Sequence, residues 1–119
     1  MCAIKYDNRF DKELIDIIGG LAAKYDVIRR IGIFGSFARG DNESDSDLDV
    51  LYDYDRVEEP QFHSTKSILK YYDEIEKAVQ KQFNIPKVDL VWYEGVLNSR
   101  EKPVRDNILR DVVWIYERD

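Results

Sequence analysis

The sequence predicts an α/β (α+β) fold, a small mixed β-sheet with helices on one face. Short apolar, β-rich runs occur at residues 29–34, 48–54, 88–92 and 112–116. Stretches with apolar residues every three or four positions lie between them, and turn-forming residues mark the junctions. Strands alternating with helices bury the sheet beneath helices on one side. The other side is then expected to stay open.

The elements follow in order. Residues 11–25 place Leu14, Ile18, Leu21, Ala22 and Tyr25 at helical spacing, with Ile15 and Ile17 widening the stripe and Gly19-Gly20 weakening the middle. Residues 29–34 form the first strand, 36–39 a short helix or turn, and 48–54 the second strand. Asp41-Asn42-Glu43-Ser44-Asp45 between them has loop composition. From Gln61 to Phe83 the residues Ile68, Tyr72, Ile75, Val79 and Phe83 mark a long helix, with Pro60 suited to its start and His63 to its surface or first turn. Asn84-Ile85-Pro86 breaks the pattern before a third strand at 88–92. Residues 94–100 read as loop and 103–111 as a short helix with Val104, Ile108 and Leu109 inward. The run 112–116 closes the chain as a strand.

Two of these junctions carry chemistry. Gly35 follows Ile31-Gly32-Ile33-Phe34, so the backbone can turn sharply there and admit a phosphate to main-chain N–H groups. A helix opening at Ser36 adds a hydroxyl and unpaired N–H groups to that anion site. Ten residues later comes Asp47-Leu48-Asp49. Residues two apart on a strand share a side, so Asp47 and Asp49 face one site while Leu48 and Val50 face the core. Paired carboxylates repel unless a cation neutralises them, and hard oxygen ligands suit Mg²⁺, which fills its shell with water and substrate phosphates. An isolated Asp-x-Asp or Gly-Ser is common. The two at this spacing, each with strand patterning, point to a nucleoside triphosphate and Mg²⁺.

Gly35-Ser36, ten intervening residues and Asp47-Leu48-Asp49 resemble the signature of the polymerase-beta-like nucleotidyltransferases. The fuller run, with Ala38-Arg39-Gly40 and Ser46, is similar to the minimal nucleotidyltransferases (MNT) that act as antitoxins beside HEPN toxins. The resemblance covers about residues 30–92 and, more loosely, 107–116. It implies a third carboxylate on a neighbouring strand, for which Asp89 in Lys87-Val88-Asp89-Leu90-Val91-Trp92 is the candidate. No core position departs from the motif; the acidic Glu43-Ser44-Asp45 before Ser46 is what differs.

The resemblance implies a polymerase-beta-like fold and transfer of AMP from ATP to a tyrosine of a cognate HEPN ribonuclease toxin. Two Mg²⁺ ions would be held by Asp47, Asp49 and Asp89, and the triphosphate by Gly35 and Ser36. Ser46 either contacts nucleotide or orients the strand start. For Arg39 two readings stay open: a phosphate contact, or pairing with the acids that follow it. A hetero-oligomer with the toxin is the expected assembly. A masking antitoxin that binds without transfer, and nucleotidylation of a small hydroxyl compound or a tRNA end, are the alternatives.

Composition bounds these expectations. The 119 residues match one domain of common size, here 1–119. Met1 to Asp7 lacks a signal-peptide apolar region and no run is long enough to span a membrane, so a cytoplasmic protein is expected. The single Cys2 allows no internal disulfide, and His63 is the sole histidine, so a His/Cys metal set is excluded. Net charge is −6, and nine acids against one base, Arg56, fall between Asp41 and Glu59. That density repels a polynucleotide backbone and attracts cations or a basic protein surface, although it also serves to solvate a loop. Tyr71, Tyr72, Tyr93 and Trp114 are candidates for a partner face, with core packing as the competing assignment.

Overall fold

A computed structural model describes residues 2–54 and 63–118, without the side chains of residues 2, 63 and 64. The elements are β1 (Cys2–Ile4), α1 (Lys12–Ala22), β2 (Ile28–Phe34), α2 (Ser36–Arg39) and β3 (Leu48–Tyr54). They continue with α3 (His63–Phe83), β4 (Val88–Trp92), α4 (Tyr93–Leu97), α5 (Lys102–Asp111) and β5 (Val113–Arg118). The expected roles of Pro60 and Gln61 at the helix start, and the acids Asp55, Glu58 and Glu59, lie outside the described residues. His63 opens α3, as its sequence context predicts.

The five strands form one mixed sheet in the order β1-β5-β2-β3-β4. All pairings are antiparallel except β3 with β4. Parallel neighbours need a crossover, and α3 lies on it. α1 and α3 cover one face of the sheet. Leu14, Ile15 and Ile18 of α1 and Tyr71, Ile75 and Val79 of α3 pack there with Ile31, Ile33, Leu48, Val50 and Val88 in a single cluster. Each such side chain contributes about 1.5–3 kcal/mol by leaving water, which makes this layer the main source of stability. Tyr71 is fully buried, its hydroxyl donating to the Ile18 carbonyl at 2.9 Å, so it belongs to the core and not to a partner face.

α1 runs through Gly19-Gly20 without a break. The reason is contact: a β-carbon at Gly19 would come within 3.2 Å of the Ile4 side chain, so the glycine lets β1 lie against the helix. β1 itself is missed by the sequence reading, because three residues are too few to show alternation. α4 replaces part of the loop expected at 94–100, its five residues being too short for a periodic signal.

The second face is only partly open. Phe34, Leu51 and Val96 are buried there, with Val91, Tyr93, Ile108, Leu109, Val112 and Trp114 packed around them. α4 and α5 therefore cover one end of this face, because these apolar side chains have no other place to be buried. Arg30 is drawn into the same layer, its guanidinium 4.0 Å from the Trp114 ring centre and 4.8 Å from that of Tyr93, and it pairs with Asp53 at 3.3 Å. Tyr93 and Trp114 thus serve packing. The uncovered end of the face holds the acids.

Candidate active site

Period-two alternation sets the site. Leu48, Val50 and Val88 are fully buried on the α1/α3 side, so Asp47, Asp49 and Asp89 take the opposite side. Asp49 is the register partner of Asp89 across the parallel pair and of Phe34 across the antiparallel one. The central strand thus presents its carboxylate between the Gly35 turn and the third acid.

The electrostatics agree with this crowding. Asp49 is pushed up to about 6, first by burial and then by repulsion from Asp89 and Asp47, with a carboxyl hydrogen bond to Asp89 acting the same way. The nearby Arg39 charge opposes the rise without cancelling it.

The turn before α2 is built for close approach. Gly35 has φ +73° and ψ −149°, a conformation strained for any other residue. A β-carbon there would stand 2.1 Å from Asp49 Oδ2. Ser36 then opens α2, and its carbonyl accepts the Gly40 and Asp41 N–H groups at 2.9 and 3.1 Å, closing a single helical turn. Gly35 and Ser36 are therefore beside Asp49, as their spacing requires.

Arg39 shows the acid-paired arrangement. Its Nε donates to Asp41 Oδ2 at 3.1 Å and its Nη1 to Asp111 Oδ2 at 2.9 Å. Asp41 comes two residues after it, whereas Asp111 comes from the end of α5 and no local pattern signals it. Ser46 turns inward on its loop: its Oγ accepts the Glu43 N–H at 2.7 Å and its own N–H donates to the Glu43 carbonyl at 3.1 Å. This fixes the chain just before Asp47.

Two further side chains bear on the acids. Lys87 Nζ lies 3.3 Å from Asp89 Oδ1. Glu76, from α3, accepts both the Val88 N–H at 3.1 Å and the Tyr72 hydroxyl at 2.9 Å, which fastens the start of β4 to the helix. The Lys87 carbonyl meanwhile accepts the Leu48 N–H at 2.9 Å. The position of Lys87, two before Asp89 on extended chain, could have been read as same-side placement. That of Glu76 could not, since it depends on how α3 docks.

The cavities do not all coincide with the acids. A groove of about 420 Å³ lies beside the loop, with Phe10, Phe37 and Phe83 among its lining and Ser46 at its edge, but none of the three aspartates lines it. Another, of about 340 Å³, runs along β4 under Ile68, Leu69 and Tyr72 and reaches Lys87 and Asp89.

The donor set fits a hard divalent cation: Asp49 and Asp89 on adjacent strands and Asp47 just before β3, with Asp49 raised first by burial and then by the other two. As placed, no group of three or more His, Cys, Asp or Glu side chains among the described residues is close enough together to hold a metal ion. An open arrangement suits Mg²⁺, which takes one or two carboxylates and retains water and phosphate ligands.

Comparison with known proteins gives consistent results. The family model described as "Polymerase beta, Nucleotidyltransferase" matches residues 17–119. The protein adenylyltransferase MntA of Thermococcus cleftensis is 32% identical over 88 residues, covering 74% of this chain and 75% of that one. A crystal structure of a toxin-antitoxin with AMP-PNP superposes with TM-score 0.54 at 15% identity, covering 88% of this chain and 72% of that one. A structure described as a minimal nucleotidyltransferase gives TM-score 0.53 at 23% identity, covering 90% and 98%. At these identities the two structures speak for the fold.

Proposed function

Because this chain belongs to the polymerase beta nucleotidyltransferase family and is a nucleotidyltransferase, we propose that it acts as an antitoxin, transferring AMP from ATP to a tyrosine of a cognate HEPN ribonuclease toxin. The toxin and ATP are its partners, in a cytoplasmic hetero-oligomer. The observation that carries this reading is the register pair Asp49–Asp89 with Gly35 folded against the Asp49 carboxylate.

Asp47 and Asp49 would hold two Mg²⁺ ions, with Asp89 completing one of the two sites, and the metal would supply charge neutralisation at the α-phosphate and on the departing pyrophosphate. Gly35 and Ser36 grip the β- and γ-phosphates through backbone N–H groups and the Ser36 hydroxyl. The acceptor oxygen forms its bond to the α-phosphorus as the bond to the β-phosphate oxygen breaks, and Asp89 is placed to accept the hydroxyl proton. Ser46 orients Asp47 through its turn with Glu43. Arg39, whose charge is felt at Asp49, stands at the edge of the phosphate site while tied to Asp41 and Asp111. The resemblance of the chain to a protein adenylyltransferase supports a protein acceptor, and its acidic surface favours a basic protein over nucleic acid.

Intact mass spectrometry of the cognate toxin tests this, after incubation with the chain, Mg²⁺ and each ribonucleoside triphosphate in turn. A gain of one or more AMP units, lost with Asp47→Asn, is expected. No gain, with Asp47→Asn still neutralising the toxin, would replace transfer by masking.

A further inference from the structure

We infer that Lys87 is a positioning residue for the acid site: its ammonium occupies Asp89 as an internal counter-ion, and a divalent cation takes that carboxylate only by displacing it. The inference rests on the acid-site reading above and adds a residue to it.

The geometry is specific. Lys87 stands two residues before Asp89 on extended chain, so both side chains lie on one side, and Nζ reaches Oδ1 at 3.3 Å. The backbone around the pair is held from two directions, by Leu48 donating to the Lys87 carbonyl and by Glu76 accepting the Val88 N–H. Lys87 therefore enters the site at a fixed position. Its side chain is 58% exposed and that of Asp89 41% exposed, and such a pair adds little to stability. Its effect falls on whatever else Asp89 binds.

Charge placement sets that effect. Lys87 feels Asp47 as well as Asp89, so it sits within the field of the whole cluster. Arg39, the cation acting on Asp49, is held by Asp41 and Asp111. Asp89 thus meets Asp49 on one side and the Lys87 ammonium on the other. A cation entering the cluster gains Asp47 and Asp49 directly and competes with Lys87 for Asp89.

The test is Mn²⁺ binding to the full chain without nucleotide, followed by electron paramagnetic resonance of the free ion. Lys87→Met should tighten binding about threefold to tenfold by removing the competing charge, whereas Lys87→Arg, which keeps it, should stay within about twofold of the parent. Lys87 is exposed enough for both variants to fold, which thermal melts would verify. Unchanged or weaker binding by Lys87→Met overturns the inference. Asp47→Asn separates the two levels of argument. If it loses Mn²⁺ while Lys87→Met binds no tighter than the parent, the acid site stands and only the role of Lys87 falls; if it binds like the parent, the acid-site reading falls with it.

Discussion

The carboxylate of Asp49 occupies the space that a β-carbon on Gly35 would fill, with Oδ2 only 2.1 Å from that position. Strand β2 ends and strand β3 presents its acid at the same point, so the Gly35 turn and the Asp49 carboxylate are one structure. Gly35→Ala meets a clash and a left-handed backbone together. It should lower stability by about 1–3 kcal/mol and reduce transfer at least about 100-fold, since a shift of this kind misplaces reacting groups. Urea melts and single-turnover AMP transfer measure both. A variant with parental activity would separate the turn from the site.

Asp49 makes the metal-free protein sensitive to pH in an unusual direction. Its folded-state value, about 6, lies above its ordinary 3.8, so its contribution to stability is fully present below about pH 3.8 and is lost as pH rises through 6. The Asp49 contribution to metal-free stability should therefore decline between about pH 4 and pH 6. Asp49→Asn should flatten that slope and stabilise the domain near neutrality by about 1 kcal/mol, after allowance for the solvent that reaches this half-buried group. Denaturant melts in a chelator across this range test it. Saturating Mg²⁺ should flatten the slope in the parent, because the ion replaces the shared proton.

Much of this arrangement is legible in the sequence, and what is not has a physical cause. Strands β3 and β4 agree to the residue with the apolar runs, because Leu48, Val50 and Val88 turn to the buried face while Asp49 and Asp89 take the other. The placement of Asp47, Asp49 and Asp89 follows from that alternation. Partners set by docking are not legible: Asp111 reaches Arg39 across 72 positions, and Glu76 reaches Val88 only because α3 lies over β4. The covering of the second face by α4 and α5 was likewise hidden, since Glu94, Gly95, Asn98 and Ser99 give that segment loop composition around a few anchoring apolar residues.

Arg39 and Asp111 offer a separation of stability from nucleotide binding. The Asp111 side chain is only 8% exposed and accepts from both Arg39 and Arg110. Asp111→Asn should cost about 1 kcal/mol and leave ATP affinity within about twofold, because Arg39 keeps its charge and its bond to Asp41. Arg39→Met should cost a similar amount and also weaken ATP binding about tenfold if its charge acts on phosphate. Calorimetric ATP titration of the two variants decides between the phosphate and structural roles of the arginine.

Glu76 provides the sharpest test of how β4 is held. It accepts the Val88 N–H and the Tyr72 hydroxyl, so one carboxylate ties the first residue of the strand that carries Asp89 to α3. Glu76→Leu leaves both donors without their acceptor, at a cost of about 1–3 kcal/mol. Tyr72→Phe removes one donor and preserves the Val88 bond, so it should cost less than about 1 kcal/mol. If the tether positions Asp89, Glu76→Leu should slow AMP transfer several-fold more than Tyr72→Phe while leaving the ATP KM nearly unchanged. The difference arises because Gly35 and Ser36, which hold the phosphates in the proposed function, lie at the turn from β2 into α2 and do not depend on this anchor. Hydrogen exchange at the Val88 amide reads the tether directly: it should accelerate in Glu76→Leu and stay protected in Tyr72→Phe. Equal slowing of transfer in both variants would instead assign the effect to the Tyr72 side of the groove.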